Sequence, residues 1–241
     1  MRQALRRLAS NATYGVKTRV ARHPSIAEPL ERLRGHGALI DDRTDIVIEG
    51  FPRCASSFVV AAFRLAQEPR EMHIVDHTHE PAQVIRGVRR GIPTLVLIRP
   101  AKGAVVSLLI RKPLLSVGTV LRGYLRFYEP LVPLHDGFVT ATFDEVLRDL
   151  GGSIDRINQR FGTSFAPFLH TPEHLARIDH EIEDDYRSRV VAGEIFERIV
   201  PRPSALREQL KGEVERRFDE LAPEEDLRRA AAVYARLTED H

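Results

Sequence analysis

The sequence has no tryptophan, one cysteine and two methionines, and aromatic residues fill only 7% of its 241 positions. A single thiol, Cys54, cannot close an internal disulfide and fits a reducing compartment. Apolar runs of membrane-spanning length are missing, and the first twenty residues lack the continuous apolar stretch of a secretory signal. Cytoplasmic location is therefore the expectation. Neither sign of charge is in excess: 36 Lys and Arg against 34 Asp and Glu leave a net charge of +2, which gives no support to bulk nucleic-acid binding. Metal-ligand sets are sparse as well. His170, His174 and His180 have no cysteine partners, a weak basis for zinc, so no metal is expected. No Gly-x-Ser-x-Gly elbow marks a serine hydrolase.

What is present suits an ordinary globular protein, 43% hydrophobic and 29% charged, long enough to bury one sizeable core. Its cations are unevenly spread. Residues 1–34 hold eight (Arg2, Arg6, Arg7, Lys17, Arg19, Arg22, Arg32, Arg34) against the acids Glu28 and Glu31. Such a segment suits an anionic membrane or nucleic acid. The simpler reading is a basic, partly ordered extension over residues 1–40, because no strong apolar face accompanies the charge. Residues 41–241 then form one domain.

Within that domain, strand and helix signals alternate. Strands are expected at 45–49, near 72–75, at 94–98 and at 138–142; the apolar run Thr94-Leu95-Val96-Leu97-Ile98 suits a parallel strand covered on both faces. Helical spacing predicts helices at 56–67, from Pro81 to near Gly91, and at 102–112, 117–130 and 144–161. A helical C-terminal tail follows over 205–221, capped by Ser204, and 224–237. The expected fold class is α/β, a parallel sheet flanked by helices in three layers.

The stretch Glu49-Gly50-Phe51-Pro52-Arg53-Cys54-Ala55-Ser56-Ser57-Phe58 joins the first strand to the first of these helices. The free amides of a helix N-terminus meet the carboxyl end of a strand there, a ready anion site. Ser56 and Ser57 add hydroxyls and Arg53 a fixed charge; the simpler reading is a solvated turn with a serine cap. An ATPase loop reads Gly-x4-Gly-Lys-[Ser/Thr]. Here Ala55 stands at the second glycine and Ser56 at the lysine, so ordinary ATP or GTP hydrolysis is not expected.

Phe51-Pro52-Arg53-Cys54-Ala55-Ser56-Ser57-Phe58 resembles the phosphosulfate loop of the sulfotransferases, Tyr-Pro-Lys-Ser-Gly-Thr-Thr-Trp. Leu97-Ile98-Arg99-Pro100-Ala101-Lys102-Gly103 through Ser107 resembles that family's 3′-phosphate segment, Arg-Asn-Pro-Lys-Asp-x3-Ser, with the same arginine-to-serine interval. His77-Thr78-His79-Glu80-Pro81 is similar to its Lys-Thr-His-x-Pro, and Thr142-Phe143-Asp144-Glu145 to its Tyr-Glu-Asp. The resemblance spans about 45–147. It implies a P-loop NTPase-like sulfotransferase fold and transfer of a sulfuryl group from 3′-phosphoadenosine 5′-phosphosulfate (PAPS) to a hydroxyl, without a metal, leaving 3′-phosphoadenosine 5′-phosphate.

Carried over residue by residue, the resemblance implies His79 as general base, with His77, in the place of the family's lysine, as the other candidate. Arg53, Cys54, Ala55, Ser56 and Ser57 would hold the 5′-phosphosulfate, Arg53 also stabilising charge on the leaving phosphate, with Phe58 as an aromatic wall in place of the family's tryptophan; Arg99 and Ser107 would hold the 3′-phosphate, and Phe143 would lie against the adenine. Cys54 also reads as no more than a small loop residue. The sequence departs from the family at Arg53 for lysine, at Ala55 for glycine, and in having no C-terminal Arg-Lys-Gly clamp, for which Arg198, Arg202 and Lys211 are the basic candidates. The sequence leaves the acceptor open among a small molecule, carbohydrate, lipid and protein tyrosine, with 112–135 and 165–200 expected to shape its pocket. Two other readings stay open: a silent nucleotide- or partner-binding domain, and an atypical P-loop small-molecule kinase.

Overall fold

The computed structural model describes residues 2–26, 39–188, 196–199 and 205–239, apart from the side chains of Glu197 and Arg198. Four parallel strands, β1 (Ile46–Gly50), β2 (Ile74–Asp76), β3 (Thr94–Ile98) and β4 (Val139–Thr142), form a sheet in the order β2-β1-β3-β4. Val47 pairs with Thr94 and Gly50 with Leu97, and Leu95 pairs with Val139. Every residue of β1 and β3 is buried, as two-sided coverage of a parallel sheet demands. Adjacent side chains of β1 point to opposite faces. Ile46 and Ile48 join the main core, while Val47 packs with Ile40 and Val75 in a smaller one.

The helices of the α/β layers are α2 (Ser56–Gln67), α3 (Pro81–Arg89), α4 (Ala101–Arg111), α5 (Val117–Tyr128) and α6 (Phe143–Phe161). They follow an additional N-terminal helix, α1 (Arg2–Val20), which the sequence reading did not assign. A 3-10 segment, Glu129–Gly137, extends α5. Helices α7 (Pro172–Ser188), α8 (Phe196–Ile199), α9 (Ala205–Leu221) and α10 (Glu224–Thr238) complete the chain. α9 packs on α4, and α10 on α5. The expected Ser204 cap lies outside the described residues.

Helix α6 opens with a capping box. Thr142 Oγ1 accepts from the Glu145 amide at 3.2 Å, and the Glu145 carboxylate accepts from the Thr142 amide at 3.2 Å. The unbroken helix expected over 144–161 is instead kinked at Asp149 (φ −152°, ψ 74°). Its carboxylate accepts from the Gly152 amide at 3.0 Å and so starts the helix afresh.

The sheet order places a topological switch between β1, whose chain leaves toward β2, and β3, whose chain leaves toward β4. The carboxyl ends at such a switch are where open α/β sheets take ligands. The strands crowd there: a Cβ at Gly50 would stand 2.6 Å from the Leu97 carbonyl oxygen. Tyr124 and Tyr128, one turn apart on α5, tie these strand ends together. Tyr128 donates to the Leu97 carbonyl at 2.6 Å and accepts from the Phe51 amide at 3.1 Å; Tyr124 donates to the Arg99 carbonyl at 2.9 Å.

Candidate anion site between two strand ends

After β1 the chain turns through Phe51–Ala55 into α2. Arg53 (φ 77°) and Ala55 (φ 71°) are left-handed, and Cys54 between them is not. Alternation of this kind turns successive amides toward one point, forming an anion nest. For an alanine it costs about 1 kcal/mol, and Ala55 adopts it where the family's loop has glycine. Among the described residues, no backbone N–H from Arg53 to Phe58 has a protein acceptor. Ser56 Oγ, buried at the start of α2, is also without a hydrogen-bond partner, and Ala55 caps the helix without a side-chain bond. The simple serine-cap arrangement is therefore not what this turn adopts. A buried hydroxyl without a partner, beside free amides at a helix start, favours an anionic ligand.

The positive charge around this nest comes from distant parts of the chain. Arg53 Nε donates to Ser107 Oγ at 3.0 Å, and Arg207, from α9, donates to the same oxygen at 2.9 Å. Arg99 donates to the Arg53 carbonyl at 3.4 Å and stacks on Phe143, its guanidinium carbon 3.9 Å from the ring centre. Arg99 and Ser107 thus converge through Arg53 rather than by a direct bond. Gly103 leaves room for Arg99, since a Cβ there would stand 2.8 Å from the Arg99 Nε. Arg111 lies over the Tyr186 ring at 5.6 Å. Among the described residues, Arg53, Arg99 and Arg111 have no carboxylate within ion-pair distance. Burial, then the charges of Arg207, Arg111 and Arg99, pull the Arg53 pKa down to about 9, which leaves it charged at neutral pH.

Two histidines line the next loop, and both are left-handed: His77 (φ 56°) and His79 (φ 53°), their rings 6.1 Å apart. Glu49, wholly buried at the end of β1, holds this loop. Its carboxyl accepts from the Thr78 amide (2.9 Å), the Thr78 hydroxyl (2.7 Å) and the His79 amide (3.0 Å). Burial nevertheless pushes its pKa up to about 7, outweighing the Thr78 bonds. His79 Nδ1 lies 2.8 Å from the Gly50 carbonyl oxygen. A carbonyl only accepts, so Nδ1 carries the proton and Nε2 the lone pair. Burial drives the His79 pKa down to about 3 despite that bond, with His77, Lys17 and Arg111 contributing. His77 is wired differently: Nδ1 meets Asp76 at 2.5 Å and Nε2 meets Ser57 Oγ at 3.2 Å, which also lies 3.3 Å from Tyr186 Oη.

Other expected side chains stand apart from this cluster. Cys54 is buried against Tyr128, and burial pushes its thiol up to about 11, a packed residue rather than a reactive one. Phe58 packs edge-on to Phe168 as a wall beside α2. Lys211 is exposed and faces Glu208 at 3.9 Å. Arg202 and the Arg198 side chain lie outside the described residues, so Arg207 is the C-terminal arginine seen at Ser107. The sequence reading missed Arg207, Arg111, Glu49, Asp76 and Tyr186. Only Glu49 and Asp76, polar groups at strand ends, left a local signal. Among the described residues, no group of three or more His, Cys, Asp or Glu is placed to hold a metal ion.

No protein-family model matches the sequence, and no curated protein matches it. Among solved structures, the chain is similar to mouse sulfotransferase SULT7A1 complexed with PAP. The TM-score is 0.43 and the identity 12%, over 80% of this chain and 94% of that one.

Proposed function

We propose that the protein is a sulfotransferase that takes PAPS as donor at the carboxyl ends of β1 and β3. The observation that carries this reading is the run of free amides from Arg53 to Phe58, set beside Arg53, Arg99 and Arg207 around Ser107. That arrangement offers two places for anions, one on the nest and one at Ser107, as a nucleotide bearing both a 5′-phosphosulfate and a 3′-phosphate requires. The orphaned Ser56 hydroxyl fits the first place. When bound, the donor supplies an activated sulfuryl group.

The chain's own residues then have separate tasks. The amides of 53–58, with Arg53, hold the 5′ end and neutralise charge that builds on the leaving phosphate. Arg99, Ser107 and Arg207 hold the 3′-phosphate, and Phe143, already under Arg99, bounds the adenine side. Nε2 of His79 accepts the proton of the acceptor hydroxyl, its tautomer fixed by Gly50. A neutral imidazole is the right form for a base, but a pKa near 3 makes it a weak one. An anion on the nest offsets the Lys17 and Arg111 charges that help depress it. His77 is the alternative base, because Asp76 orients Nδ1 and its Nε2 already faces a hydroxyl. The weak basicity of His79 also favours a second reading, a silent domain that binds the nucleotide without turnover.

Calorimetric titration of 3′,5′-ADP in the presence of EDTA tests the donor site. Metal-free binding, weakened roughly tenfold to a hundredfold by Arg53→Ala, is the expected result for loss of a charge-assisted phosphate contact. Binding of ATP only with magnesium would favour the kinase reading instead.

A further inference from the structure

Helix α1 is fastened to the body along one side. Asn11 bonds the Leu114 carbonyl at 3.1 Å and the Ser116 amide at 2.9 Å. Arg126 donates to the Gly15 carbonyl at 3.3 Å and to Thr18 Oγ1 at 2.9 Å. The Tyr14 ring lies close over Gly123, where a Cβ would stand 2.8 Å from it. Residues 11, 15 and 18 recur at helical spacing and define this docked side.

On the opposite side Leu5, Ala9, Ala12 and Val16 recur at intervals of four, three and four, and all are exposed. Leu5 is 58%, Val16 57% and the neighbouring Leu8 68% accessible. The helix carries Arg2, Arg6, Arg7, Lys17 and Arg19 and no acidic residue. In projection Arg2, Arg6 and Lys17 run along one edge of the apolar row, and Leu8 with Arg19 along the other. Beside Leu8 a cavity of about 340 Å³ is walled by Pro113, Leu114 and Leu115, with Arg7 and Arg217 as its cations. Leu114 is itself exposed.

We propose that this face docks the protein on an anionic phospholipid surface, with Leu5, Leu8 and Val16 in the interface and Arg2, Arg6, Lys17 and Arg19 on the headgroups. The two features have to be satisfied together. A nucleic acid would meet the cations and leave three aliphatic side chains in water; a neutral apolar partner would leave four cations unmatched. An anionic bilayer takes both at once. The site lies close to this helix. The Ala82 amide, just after the histidine loop, donates to the Ala21 carbonyl at 3.2 Å, and Lys17 is near enough to help depress the His79 pKa. Docking through α1 would bring the 77–82 loop near the lipid surface.

The test is co-sedimentation of the full chain with phosphatidylcholine vesicles, with and without phosphatidylserine, at low and high salt. Binding to the phosphatidylserine vesicles alone, weakened by salt and by about tenfold or more in Leu5→Glu/Val16→Glu, is the expected result. Both positions are exposed, and circular dichroism and thermal melting check that the variant stays folded. Absence of binding to anionic vesicles would overturn the proposal. So would binding that the double variant leaves unchanged, or capture by single-stranded RNA in place of vesicles.

Discussion

Glu49 shows how a buried carboxyl can shape a site it does not face. Three donors of the 77–80 loop converge on it, which holds two histidines in left-handed conformations that cost a non-glycine residue about 1 kcal/mol or more each. Folding raises its pKa from 4.5 to about 7. Between those values the folded state keeps a proton that the unfolded chain has lost, so the stability tied to this proton is full below pH 4.5 and lost as pH rises toward 7. Glu49→Gln lacks the titration and has one acceptor oxygen where three donors meet two. It should be less stable by about 1–3 kcal/mol at acid pH, with the gap to wild type narrowing as pH rises through that window. Urea unfolding across a pH series measures this. A gap that widened with pH would mean that the folded state holds Glu49 ionised.

The strand–turn–helix unit from β1 into α2 was the most legible part of the chain. The β-branched run at 46–48 and the helical spacing after Ser56 are local signals, and the helix bounds 56–67 and strand bounds 94–98 agree with the sequence reading. Helix α1 was not legible: its polar docked side, Asn11, Gly15 and Thr18, has no apolar stripe to betray a helix packed on another. Neither was the part that α5 plays, because no local pattern tells a tyrosine that bonds a strand end from one that only fills a core. Yet these two hydroxyls tie the end of β3, and Tyr128 the start of the turn, to one helix. Tyr128→Phe keeps the ring and removes a donor to Leu97 and an acceptor for Phe51. The expected outcome is a loss of about 1–3 kcal/mol in denaturant unfolding, with weaker nucleotide binding in calorimetry. Unchanged stability would mean that water replaces the hydroxyl without cost.

Seen across the fold, the candidate site is an assembly of remote segments. Arg53 follows β1, Arg99 follows β3, Ser107 lies on α4, and Arg207 arrives from α9, a hundred residues beyond the serine it touches. Motif order along the chain made the first three readable as candidates through a family resemblance. No local pattern could single out Arg207, since its approach depends on how α9 packs on α4. The central claim is that these side chains recognise a 3′-phosphate. Calorimetric affinities for 3′,5′-ADP and 5′-AMP, in wild type, Arg99→Ala and Arg207→Ala, test it most directly. The account predicts at least about tenfold tighter binding of 3′,5′-ADP by wild type, with that preference lost in both variants while 5′-AMP affinity changes little. Equal binding of the two nucleotides by wild type would contradict it.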